Sequence, residues 1–119
     1  MASSKVIPRY LCSEPVRVCR LAGPPQPVLL MPANLEEITR SSAELIAESP
    51  LPRQAKVRIL SRKHALEGFV ESCVLDRILG YIVKVRFAPK SQWSENWFMP
   101  EHLLQIPAIS SEVSALEVA

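Results

Sequence analysis

The sequence predicts an all-β fold, a small antiparallel barrel or sandwich of five or six short strands. Three observations predict it. Several runs alternate apolar and polar residues with period two, the mark of a strand with one face buried. They follow one another closely and are separated by short turns, as in barrels and sandwiches. The eleven prolines fall mostly in the first half and at the edges of the apolar runs, where they act as punctuation.

Each element has its own reason. Residues 1–14 have mixed polarity and no period, which predicts an extended N-terminal arm. Val16 to Leu21, VRVCRL, alternates apolar and charged residues and reads as a half-buried strand. Ala22 to Pro27, AGPPQP, is a loop, because consecutive prolines fix φ and remove donors. Val28 to Met31 is a short apolar strand, and after Pro32 the chain continues as a strand from Asn34 to Thr39. Arg40-Ser41-Ser42 is a polar turn. Ala43 to Glu48 contains good helix formers, yet Pro50 and Pro52 limit any helix to little more than one turn. A strand with Ala43, Leu45 and Ala47 on one face is the better reading.

The second half is more regular. In AKVRILS, Ala55 to Ser61, Val57 and Ile59 face inward while Lys56, Arg58 and Leu60 share the other face. Leu66 to Leu75 is a long strand in which Gly68 marks a bulge or a close backbone approach. Asp76 to Gly80 turns the chain into Tyr81–Phe87, with Tyr81, Val83, Val85 and Phe87 on one face and Lys84 and Arg86 on the other. Pro100 to Leu104 reads as a short C-terminal helical turn opened by proline. The expected organisation is an arm over 1–14, a barrel domain over 15–107 and a flexible or weakly helical tail over 108–119.

Composition restricts function. The chain has 119 residues, one domain's worth, with 48% hydrophobic and 22% charged residues, the range of a globular protein. Fourteen basic against twelve acidic residues leave +2, too little to argue for nucleic acid or an anionic membrane. No segment is apolar and long enough to span a bilayer, and the start lacks a secretory signal. Cys12, Cys19 and Cys73 cannot all pair within one chain, so reduced thiols and a cytoplasmic location are expected. His64 and His102 lack a second ligand at metal spacing, and no metal site is expected. Asp76 is the only aspartate, and three glycines form no phosphate loop. No nucleophile, base and charge stabiliser come together, so the chain is read as a non-enzyme with no catalytic residues and no cofactor.

The strand order also carries a resemblance. Asn34 to Leu45, NLEEITRSSAEL, stands where PilZ domains have a strand, a D/N-x-S-x-x-G turn and a returning strand. Leu51 to Ile59 is similar to that family's loop into its next strand, and Glu67 to Phe87 to its final hairpin, which ends on V-x-F. The chain thus resembles a PilZ domain over Val16 to Phe87, which implies a six-stranded barrel and a bacterial signalling module. The resemblance further implies cyclic diguanylate as ligand, with Arg17, Arg20, Glu37, Thr39 and Ser42 as ligand-binding residues. The motifs are altered. The family's R-x-x-x-R becomes Arg17 and Arg20 at R-x-x-R spacing, which puts them on opposite faces of a strand, and Arg9 lies further back. Glu37 adds a methylene to the acidic position, Thr39 keeps the hydroxyl, and Ser42 brings a Cβ to the glycine position.

Two alternatives accompany that reading. One is a PilZ-like module that has lost nucleotide binding and acts on an unidentified protein partner, through its aromatic C-terminal segment or an exposed strand edge. The other is a small nucleic-acid-binding barrel reading backbones through the Lys56 to Arg62 face, part of a basic stripe of Lys56, Arg58, Arg62, Lys63, Lys84 and Arg86, and it is disfavoured by the near-neutral charge. Cross-strand pairing with Glu67 and Glu71 accounts for the same basic stripe. Trp93, Trp97 and Phe98 suit a plug for one end of the barrel as well as a docking surface.

Overall fold

In the computed structural model the described residues are 8–21, 29–62, 64–94, 99–100 and 104–106. They form β1 (Arg9–Arg20), β2 (Leu29–Thr39), β3 (Ser42–Ala47), β4 (Lys56–Ser61), β5 (His64–Asp76), β6 (Gly80–Phe87) and β7 (Leu104–Ile106). Every pairing is antiparallel, in the order β2-β3-β6-β5-β4-β1, and β1 pairs back onto β2. The result is a closed six-stranded barrel. The short β7 lies against Arg9–Leu11, at the start of β1.

Period-two alternation places the core as expected. Val16, Val18, Leu35, Leu45, Val57, Ile59, Val70, Val83 and Val85 point inward and are buried. Ala43, Leu45 and Ala47 share the inner face of β3, and no helix forms there. Burial of such aliphatic side chains, about 1.5–3 kcal/mol each, is the main force closing the barrel.

Two boundaries differ from the expectation, and proline explains both. Residues Arg9–Glu14, expected in the arm, belong to β1. Pro15 does not end the strand, because the β7 pairing stops at Leu11 and the β4 pairing starts at Arg17. On that flank its missing N–H is not needed. Likewise Val28–Met31 and Asn34–Thr39 are not two strands: β2 runs unbroken from Leu29. Pro32 pairs with Arg17, but β3 joins β2 only from Ala33 onward. The expected helical turn at Pro100–Leu104 is also corrected at its end, since Leu104 opens β7. The loop at 22–27, the tail at 108–119, and Lys63, Trp97, Phe98 and His102 lie outside the described residues.

One inward position carries a charge. Glu14 is 2% exposed, accepts a hydrogen bond from Ser61 Oγ, and lies 4.0 Å from Arg62 Nε. Arg62 turns the β4–β5 hairpin with φ +46. A buried carboxylate is tolerated when such donors surround it.

Cys12 sits next to this site with its thiol directed at the Leu35 carbonyl, 3.6 Å away. Burial, and then the carboxylates of Glu36, Glu14 and Glu37, push the Cys12 thiol up from 9.0 to about 12. The folded state therefore keeps a proton that the unfolded chain releases, so this group's contribution to stability is full below pH 9 and declines from there toward about 12. At pH 8, alkylation of Cys12 is expected to lag well behind that of half-buried Cys73, because the thiolate is the nucleophile. Mass-spectrometric labelling rates check this, and equal rates would refute it.

Candidate functional site

The β2–β3 turn is built by side chains, without glycine. Thr39 Oγ1 accepts hydrogen bonds from the backbone N–H groups of Ser41 (3.2 Å) and Ser42 (3.0 Å), and it shares a third with Ser42 Oγ at 2.9 Å. This is the local bonding by which a hydroxyl stabilises a turn. Ser42 is not among the described residues with positive φ, so its Cβ brings no backbone strain. The turn is also held from outside: Phe87 N donates to Ser41 O, Trp93 N to Arg40 O, and Arg40 Nε to Gln92 Oε1.

Arg9 lies directly opposite Thr39 in the β1–β2 ladder. Its guanidinium grips the Glu37 carboxylate with both arms, Nε to Oε2 at 2.9 Å and one terminal nitrogen to Oε1 at 3.0 Å. Hydrogen bonding and charge from Glu37 raise the Arg9 pKa further. Beside the pair opens a cleft of about 420 Å³, lined by Arg9, Glu37, Thr39, Ser42, Glu44 and Lys84 among others. Two cations and two carboxylates face it, so the cleft has no net charge.

Below the turn, Trp93 closes this end of the barrel. It is buried, and its ring meets Tyr10 edge-on, with centroids 5.3 Å apart and planes at 73°. The plug role read from the sequence holds for Trp93.

Three of the five expected ligand residues, Glu37, Thr39 and Ser42, therefore come together. Arg17 and Arg20 do not join them. They pair with Pro32 and Leu29, eight and eleven residues along β1 from Arg9, or about 26 and 36 Å at strand rise. Arg17 faces outward, while Arg20 borders a separate cleft of about 210 Å³ with Val18, Leu30, Met31, Pro50 and Leu51. Arg9 takes the position expected of them. The signal was present: folding the sequence about Pro24-Pro25 sets Arg17 against Pro32 and sends Arg9 to the motif turn.

Two arginines of the basic stripe are paired across strands. Arg58 Nε donates to Glu67 at 2.9 Å across β4–β5, and Arg86 binds Glu71 at 2.9 Å across β5–β6. Such exposed pairs contribute about 0–1 kcal/mol each. Among the described residues no three His, Cys, Asp or Glu side chains cluster to hold a metal, and no helix is long and apolar enough to cross a membrane. No protein-family model matches the chain, and no curated protein matches it closely enough to count as a relative.

Proposed function

We propose that the chain is a non-enzymatic bacterial signalling module of PilZ type that acts through protein contacts and no longer takes cyclic diguanylate. The observation that supports this reading is the Arg9–Glu37 pair in a cleft of balanced charge. Opening an exposed pair costs only about 1 kcal/mol. The guanidinium and the carboxylate satisfy each other on both oxygens, so a nucleotide must displace Glu37 to reach Arg9. Thr39 and Ser42 meanwhile satisfy each other and the turn.

Calorimetric titration with cyclic diguanylate at moderate salt tests the reading. The unmodified chain is expected to give no saturable heat, and Glu37→Ala to gain weak binding as Arg9 is released. Micromolar binding by the unmodified chain, lost in Arg9→Ala but kept in Arg17→Ala and Arg20→Ala, overturns it. That result would favour a receptor with altered motifs, a reading supported by the size of the cleft and by Lys84 at its wall. The nucleic-acid reading is weakened by Glu67 and Glu71, which neutralise Arg58 and Arg86.

A further inference from the structure

The β5 strand is flanked on both sides only in its first half. Its ladder with β4 ends at Lys56↔Phe69, and two further bonds tie Val70 to Gln54 and Ala55. From Glu71 to Asp76, β6 is its only neighbour among the described residues. Such an edge offers alternate N–H and C=O groups to another strand. The usual protections are missing from Ser72-Cys73-Val74-Leu75, which has no proline, lysine or other charge.

The same end of the molecule exposes a run of large apolar side chains. Val74 and Leu75 are each 59% exposed, Leu79 54% and Ile78 92%. This hairpin is firmly built. Asp76 Oδ1 accepts the N–H groups of Ile78 (2.8 Å) and Leu79 (2.9 Å), and Gly80 closes the turn at φ +111. A preformed edge loses little entropy on docking.

We propose that a second copy of the chain pairs with this edge, antiparallel and two-fold symmetric, with Val74 opposite Val74. Charge selects both the occupant and the register. With Val74 on the axis, Cys73 meets Leu75, Ser72 meets Asp76, and Glu71, which also binds Arg86 of its own chain, meets Arg77 at the start of the second copy's turn. The last pair forms twice by symmetry. A one-residue slip in one direction sets Glu71 against Asp76, two like charges, and in the other it sets Glu71 against Ile78. Either slip turns the side chains to the wrong faces. One strand edge and a hairpin end make a small interface, of the class below about 1,200 Å², so association in the upper micromolar range is expected. The inference goes beyond the functional reading above and is independent of what happens at the motif cleft.

Sedimentation equilibrium of the full chain, from micromolar to several hundred micromolar, is the test. The expected result is a monomer–dimer equilibrium whose association constant falls at least tenfold in Val74→Lys and in Arg77→Glu. The charge swap Glu71→Arg with Arg77→Glu is expected to restore it. Val74→Cys in a Cys73→Ser background should give a disulfide-linked dimer on mild oxidation, since directly opposed residues in an antiparallel pair lie within disulfide reach. Val74 and Arg77 are exposed while Glu71 and Cys73 are half-buried, and unchanged melting curves confirm that the variants fold. A chain that stays monomeric, a dimer indifferent to Val74→Lys and Arg77→Glu, or a charge swap that fails to restore association overturns the proposal.

Discussion

Alanine at Gly68 is expected to lower the melting temperature by about ten degrees. Gly68 is buried in the middle of β5, between Val57 of β4 and Phe87 of β6. A Cβ there would overlap the Arg86 carbonyl oxygen and come within 2.9 Å of both the Arg86 carbonyl carbon and Val85 Cγ1. Two of these three obstacles are backbone, fixed in the β5–β6 ladder. The neighbouring bond from Ala88 N to Glu67 O, 2.8 Å, restrains the same strands. Alanine gains about 0.5–1 kcal/mol over glycine in chain entropy, but overpacking of this kind costs about 3 kcal/mol or more, so the clash decides the sign. The net loss of about 2–2.5 kcal/mol corresponds to roughly 8–10 °C for a domain of this size. Thermal denaturation followed by circular dichroism measures it, and a shift of only a few degrees would show that β6 can retreat.

Trp93→Ala is expected to cost about 3–5 kcal/mol, the range for emptying a buried aromatic site. The indole fills the barrel end against Tyr10, and the backbone at Trp93 holds Arg40. Its loss should therefore loosen the Thr39–Ser42 turn as well as the core. Urea unfolding gives the magnitude, and amide exchange at Ser41 and Ser42 gives the local effect. Trp93→Phe is expected to recover part of both. If Trp93→Ala left stability unchanged, the residue would be a surface anchor rather than a plug.

Most of the barrel was legible because alternation reports burial directly. Val57 and Ile59, or Val83 and Val85, face inward for the same reason that Lys56 and Lys84 do not. Gly68 was legible too, as the close approach rather than the bulge, which falls instead between Val70 and Ser72. The misread boundaries were those set by a neighbouring strand. Pro15 and Pro32 look like breaks in one dimension, and only the extent of β4, β7 and β3 shows that their missing donors have no acceptor to meet. The site was half legible on the same principle. Glu37, Thr39 and Ser42 are local in sequence, so their spacing was enough. Arg9 reaches them through register alone, and register depends on which pair of residues forms the hairpin axis.

The small strand β7 has a consequence for how the chain assembles. The β2–β3, β4–β5 and β5–β6 ladders join neighbours in sequence and can form as soon as each segment exists. By contrast, Arg9 meets Ile106 across almost the whole described chain. β7 is the last of the described strands in chain order and makes the longest-range pairing, so the six-stranded barrel can close before β7 docks. During that interval the first half of β1 has one bare flank, at the end of the barrel that carries Arg9. Completion of this end of the barrel thus depends on β7, where late and early segments of the described chain are joined in a single ladder.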